Sequence, residues 1–320
     1  MTSLNESVAR QLSTLRLMMK AIVPFLDDDS VIEIALNADG AIWVERMGSA
    51  MSCTDARMTR DEATVMLRLV ANAIGTEITD AKPSLAALIP GWNARLQAMV
   101  PPVVDAPIFC IRKPPKKIFT LDDYVGRGIL SSTQADELRR AVGARANILV
   151  GGSTGSGKTT FTNAVLHQIA VQTTDRLYIV EDMRELQCAA KNKLQIFVQE
   201  PVYGWQRAIL DALRCRPDRI VVGEVRGGPA ALELTKAWNT GHPGGMATVH
   251  ANDTRGMLDR ICQLLEEVIP TAPRMFLAQV INLCVHLTKD ATHAAGRRIS
   301  GLDRVLGLKS DGSWDLEPVA

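Results

Sequence analysis

No apolar run in this sequence approaches the ~18 residues that a membrane-spanning helix requires. The first ten residues, MTSLNESVAR, include Glu6 and hold no continuous apolar segment of the secretory kind, so the chain reads as soluble and cytosolic. Charge of one sign is missing too. The net charge is +1, which gives no bulk attraction to nucleic acid or membrane and argues against direct nucleic-acid binding. Six cysteines (Cys53, Cys110, Cys188, Cys215, Cys262 and Cys284) are scattered and form no C-x₂₋₄-C pair. That excludes a metal ribbon and a disulfide framework, and leaves reduced, mostly buried thiols. Internal repeats and low-complexity stretches are absent as well.

What remains is an ordinary globular balance of 47% apolar and 22% charged residues. The 320 residues suffice for about two domains. The most informative stretch is ANILVGGSTGSGKTTFTNAV, residues 146–165. An apolar run of strand length, Asn147 to Val150, leads into a glycine-rich turn and then a helical pattern carrying Phe161, Ala164, Val165 and Ile169. Within it lies Gly152-x-x-x-x-Gly157-Lys158-Thr159, a P-loop in its required strand–loop–helix setting. Glycines let successive backbone N–H groups turn inward around a phosphate, and the new helix adds its N-terminal partial charge. Gly152, Ser153, Thr154, Gly155, Ser156, Gly157, Lys158, Thr159 and Thr160 are therefore the candidate nucleotide-binding residues. Lys158 supplies charge to the β- and γ-phosphates, and the Thr159 hydroxyl suits a Mg²⁺ ion.

Before this motif, Val8, Leu12, Leu15, Met19, Ile22 and Leu26 form an amphipathic helical stripe, disturbed near Pro24 and flanked by Arg10, Arg16 and Lys20. Packing within its own domain or against a neighbouring subunit fits better than a membrane surface. Strands are expected at Val31–Leu36 and Ala41–Glu45, joined across Asn37-Ala-Asp-Gly40. Thr59-x-x-Glu62 is a capping box for a helix to about Ile74, and Arg95–Val100 and Ile108–Arg112 are further strands. Residues 1–112 thus read as a small α+β domain. Lys113-Pro-Pro-Lys-Lys117 opens a linker taken to residue 140, with a helical pattern from Leu121 to Val142 that Ser131/Ser132 can cap. Residues 141–320 read as an α/β domain with a mostly parallel sheet, its strands at Ile148–Val150, Leu177–Val180, Ile220–Val222, Ala247–His250 and Val280–Leu287.

Three constellations follow expected strands, where open parallel sheets bind ligands. Glu181, Asp182 and Glu185 offer carboxylates for Mg²⁺ or for polarising water. In Ile220-Val-Val-Gly-Glu224 an apolar strand ends in an acid, but the usual aspartate position holds Gly223. Glu224 must then act alone, as a general base or an outer metal partner. The third is Gly241-His-Pro-Gly-Gly-Met-Ala-Thr-Val-His250-Ala-Asn-Asp253. A lone histidine at a strand end is as a rule structural, and only the company of a P-loop suggests that His250 senses the γ-phosphate. His286, His293 and His167 read as structural. Arg207, Arg214, Arg216 and Arg219 crowd the approach to Glu224, and Arg214 and Arg216 are candidates for completing a neighbour's site.

In this order, GGSTGSGKTT, IVEDMREL, CRPDRIVVGEVRG and TGHPGGMATVHAND resemble the Walker A, Asp, Walker B and His boxes of the secretion traffic ATPases. VIEIALNADGAIWVER, RLQAMVPPVV and IRK are similar to that family's smaller domain. The wording looks closest to its TrbB-type conjugal transfer branch. The resemblance implies a RecA-like P-loop ATPase using ATP and Mg²⁺ as a hexameric ring. It also implies other inner-membrane secretion components as partners and a cytoplasmic, membrane-peripheral location. Arg95 and Arg112 match small-domain arginines that reach the nucleotide in relatives. Type II secretion and pilus ATPases share the boxes, and a RecA-like DNA translocase or a P-loop that binds without turnover are alternatives. A GTP switch needs Asn-Lys-x-Asp, and Asn192-Lys193-Leu194-Gln195 ends in the wrong residue.

Overall fold

The computed structural model describes residues 13–114 and 118–320, and the chain divides into one unit up to Lys116 and a second from Lys117. Val8, Arg10 and Leu12 of the amino-terminal stripe, and Pro115–Lys117 of the basic linker, lie outside the described residues. The rest of the stripe is core, since Leu15, Met19, Ile22 and Leu26 are all buried. It is not one helix. Residues 13–18 are helical, residues 19–22 turn, and a separate helix Val23–Asp27 begins with Pro24 in its first turn, where a missing N–H costs nothing.

The first unit is a six-stranded antiparallel sheet. Its strands are β1 (Val31–Leu36), β2 (Ala41–Arg46), β3 (Ser52–Arg57), β4 (Ser84–Ile89), β5 (Ala94–Met99) and β6 (Ile108–Arg112), in the order β3-β2-β1-β6-β5-β4. Period-2 alternation turns Ile34, Leu96, Phe109 and Ile111 to one face. There they pack with Met66, Leu67 and Val70 of the helix Arg60–Ala73, which the Thr59/Glu62 capping box opens. On strand positions facing away from this core, Arg95 pairs in register with Arg112, and Arg112 with Glu33.

In the second unit, helices Leu121–Gly126 and Ser132–Gly143 occupy most of the stretch read as linker. Capping boxes at Thr120/Asp123 and Ser131/Gln134 start them, and Leu121, Tyr124 and Leu138 are buried in this unit's core. The sheet has eight strands. These are β7 (Ile148–Gly152), β8 (Leu177–Glu181), β9 (Lys193–Phe197), β10 (Arg219–Val222), β11 (Met246–Val249), β12 (Leu283–Lys289), β13 (Arg297–Leu308) and β14 (Trp314–Pro318). They run in the order β14-β13-β12-β7-β11-β10-β8-β9. β12 through β9 in that order are parallel, and β13 and β14 add an antiparallel edge. β7, β8, β10 and β11 are buried along their whole length because helices cover both faces. The helix Lys158–Gln172 packs on one face, and Gly228–Asn239 and Thr254–Glu266 on the other.

Two expectations move. Val280 ends a helix, Arg274–Val280, and β12 starts only at Leu283. The third strand of the parallel run stops at Val249, so His250 stands just beyond it. Parallel strands share one carboxyl edge. Gly152, Glu181, Val222, Val249 and Lys289 end there together, and this edge carries the chemistry.

Candidate nucleotide-binding site

The P-loop backbone needs its glycines. Gly155 and Gly157 have φ of +73° and +101°, a region that L side chains disfavour. A β-carbon on Gly152 would stand 2.4 Å from the Leu287 carbonyl oxygen. Gly157 then caps the helix Lys158–Gln172, whose free N–H groups face the loop. Ser156 is buried, while Ser153 and Thr154 are exposed on the loop's rim and Thr160 is half-buried in the first helical turn.

Lys158 is itself largely buried. Its Nζ donates to the carbonyls of Gly152 (2.9 Å) and Ser153 (3.1 Å) and lies 3.4 Å from His250 Nδ1. An ammonium can only donate, so Nδ1 accepts and the imidazole proton resides on Nε2. That nitrogen lies 3.4 Å from Glu224 Oε1. Burial, then the Lys158 charge, hold the His250 pKa below its ordinary value, which keeps this bridging tautomer neutral. Glu224 Oε2 accepts from Arg226 Nη2 at 2.9 Å, and Arg226 Nη1 donates to Asp182 Oδ2 at 2.6 Å. The structure thus links Lys158, His250, Glu224, Arg226 and Asp182 in one polar chain.

Thr159 belongs to a different contact. Its Oγ1 donates to Glu185 Oε2 at 3.2 Å, while Asp182 and Glu224, which are also metal candidates, hold Arg226 between them. Glu181 is buried and committed to the backbone that follows it. Its Oε2 accepts the backbone N–H groups of Glu185 (3.0 Å) and Leu186 (2.9 Å), fixing the turn that presents Glu185. A β-carbon on Gly223 would lie 3.2 Å from the Glu181 Cβ, a tight approach to the neighbouring strand that the glycine relieves.

Burial, reinforced by Glu185 and Asp182, pushes the Glu181 pKa up from 4.5 to about 7. A raised carboxyl pKa means that the folded state holds the extra proton between these values, so stability falls as pH rises from about 4.5 to about 7. Glu181→Gln removes that slope. In thermal melts its stability relative to wild type should improve between pH 5 and pH 8, by on the order of 2 kcal/mol. A difference that stays flat over this range would show that Glu181 does not titrate there.

The arginines leading up to and opening β10 separate into distinct roles. Arg219 is almost fully buried and donates to Asp175 Oδ2 (2.6 Å) and to the carbonyls of Gly244 and Val142, a structural node. Arg207 pairs with Asp211 along its helix. Arg214 and Arg216 are exposed and precede β10, at the opposite end of the parallel strands from Glu224. Neither reaches its own P-loop.

Two residues, Arg226 and Asn163, have roles that the sequence did not assign to them. Arg226 bridges Asp182 and Glu224. Asn163, one helical turn after Thr159, donates to the Glu185 carbonyl and accepts from the Gln187 N–H. His286, buried on β12 and in register with Gly151, lies 3.0 Å through Nε2 from the Ala251 carbonyl and 2.6 Å through Nδ1 from Ser300 Oγ. It fixes the backbone just after His250. His293 bonds the Gly128 carbonyl, outside the polar chain.

The family described as Type II/IV secretion system protein matches residues 18–300. The chain belongs to that family. The TrbB-type likeness holds as well. Conjugal transfer protein TrbB of Rhizobium radiobacter is 38% identical over 287 residues, covering 89% of this chain and 87% of that protein. A probable conjugal transfer protein TrbB of Sinorhizobium fredii is 39% identical over 293 residues, covering 91% and 88%. In fold, the chain resembles the pilus retraction motor PilT solved with bound ADP, with a TM-score of 0.67 at 20% identity over 93% of this chain and 84% of that one.

Proposed function

We propose that this chain is the ATP-hydrolysing motor of a conjugal transfer, type IV secretion apparatus. In this reading a RecA-like P-loop domain follows a smaller α+β domain, and six copies form a ring. The ring works with other components of the machinery at the cytoplasmic face of the inner membrane. The observation that carries it is the polar chain from Lys158 through His250 to Glu224 on the sheet edge that also bears the P-loop.

The loop N–H groups and Lys158 bind the β- and γ-phosphates. Glu224 lies across His250 from Lys158, where the terminal phosphate ends, and serves as base for the attacking water. His250 touches both groups and registers loss of the γ-phosphate through its two ring nitrogens. The donors fit Mg²⁺. Thr159 and Glu185 offer two hard oxygens beside the loop, and no cluster of three or more acidic, histidine or cysteine ligands occurs among the described residues, as suits an ion bound mainly through substrate phosphate. Such an ion would supply charge to the phosphate oxygens; Thr159 would hold it, with Glu185 as outer partner. Arg95 and Arg112 are assigned to the nucleotide on the family likeness.

Arg214 and Arg216 are assigned to a neighbouring subunit's γ-phosphate, because their end of the sheet excludes them from their own site. Arg216→Ala and Lys158→Ala should each be nearly inactive alone. Mixed under conditions of verified subunit exchange, they should regain activity at interfaces that pair an intact P-loop with an intact arginine; Arg214→Ala is tested in the same way. No recovery in either mixture removes both arginines from the shared site. Full activity of a demonstrably monomeric sample would refute the ring reading.

A further inference from the structure

We infer that Lys289 and Arg297 form a second cationic jaw on the P-loop, one that grips the α-phosphate end of the nucleotide bound in the same subunit. This rests on the nucleotide-site reading above.

The two residues are register partners at the loop end of the β12–β13 hairpin. Like charges set directly opposite across two strands destabilise a hairpin, so this pairing needs an anion to offset it. The hairpin does not supply one. Its nearby acid, Asp290, is committed to Arg298 (2.9 Å) and to the Thr292 hydroxyl and N–H. Among the described residues neither the Lys289 nor the Arg297 side chain makes an ion pair or hydrogen bond, and burial leaves Lys289 exposed and Arg297 half-buried. Both nonetheless stand against the loop. A β-carbon on Gly155 would meet Lys289 Nζ at 2.8 Å, and one on Gly157 would meet Arg297 Nη1 at 2.5 Å. Glycine at these positions therefore leaves room for two cations beside the backbone that must wrap a phosphate.

Topology says which end of the nucleotide they meet. Glu224 and His250 follow β10 and β11, on one side of β7, and mark the reacting γ-phosphate. β12 flanks β7 on the other side. A phosphate chain running across the loop from the β11 side must leave it on the β12 side, at Lys289 and Arg297. The hairpin that holds them is itself anchored, by Asp290 N–H to the Gly296 carbonyl and by His293 to the Gly128 carbonyl. The jaw is presented on a built element.

The test uses the full-length protein and calorimetric titration with ATP and with ADP, alongside steady-state turnover and thermal melts. Lys289→Ala and Arg297→Ala should each weaken ATP and ADP equally, by about tenfold, the size of one charge-assisted hydrogen bond. The loss should fall on KM, and Arg297→Lys should lose less than Arg297→Ala. Nucleotide-free melts should stay level or rise, since each variant relieves the like-charge pair. Arg298→Ala, on the same hairpin but paired with Asp290, should bind ATP like wild type. Unchanged affinity in both alanine variants would overturn the inference, as would weakening of ATP with ADP unaffected, an equal loss in Arg298→Ala, or a lower melting temperature accompanying the loss. A wild-type chain that fails to bind either nucleotide would instead sink the nucleotide-site reading itself.

Discussion

Lys158→Ala is expected to lower ATP turnover by at least about a hundredfold, the scale of removing one preorganised charge from a transferring phosphoryl group. The fold should survive. Lys158 is largely buried, but it donates to the carbonyls of Gly152 and Ser153 and lies beside His250 Nδ1, acceptors that water can satisfy once the ammonium is gone. The variant should therefore melt within about 3 °C of wild type. Nucleotide affinity should fall with the rate, because the charge acts on ground and transition states alike. A second consequence is local. Lys158 is one of the groups that hold the His250 pKa down, so its loss should let His250 protonate at a higher pH, readable in the imidazole resonances. Phosphate release measured beside the melt decides the matter. Near wild-type turnover in Lys158→Ala would overturn the P-loop assignment.

Why the P-loop could be read and other parts could not follows from where each element sits. β1, β2, β7, β8 and β10 are interior strands, and burial gives them unbroken or cleanly alternating apolar residues. The strands that escaped reading include every sheet edge, namely β3 and β4 in the first unit and β9 and β14 in the second. β3, Ser-Cys-Thr-Asp-Ala-Arg, carries polar residues on both sides, so its pattern fades into that of loops. β13 was lost with β14, and with it the opposition of Lys289 to Arg297, which exists only in the hairpin's register. The apolar run from Val280 to Leu287 gave no sign of its helix-to-strand change, since short apolar runs suit either state. At the site, the residue types at the strand ends were legible. Their partners were not. Glu181, Asp182 and Glu185 lie within five residues, yet one fixes a turn, one holds Arg226 and one meets Thr159. Spacing alone cannot distribute those roles, because the partners are the following turn for Glu181, a loop after β10 for Asp182 and the P-loop helix for Glu185.

Glu224→Gln should bind ATP within about threefold of wild type and hydrolyse it at least about a hundredfold more slowly, the effect of deleting a general base while keeping its shape. The geometry adds a complication that the test must separate. The Glu224 carboxylate accepts from Arg226 Nη2 on one oxygen, and its other oxygen faces His250 Nε2 at 3.4 Å. A glutamine has a single acceptor oxygen, so one of those donors must face an NH₂ group. Part of any loss could then arise from a broken chain between Lys158 and Asp182 rather than from a missing base. Glu224→Asp keeps both acceptor oxygens and the basicity, and shortens the side chain by one methylene. If Glu224 is the base, the aspartate variant should retain more turnover than the glutamine variant. Glu185→Gln provides the comparison, because Glu185 faces Thr159 and should act on Mg²⁺ dependence first. Normal turnover in Glu224→Gln combined with a dead Glu185→Gln would transfer the base to Glu185, and with it the site of water attack to the Thr159 side of the loop.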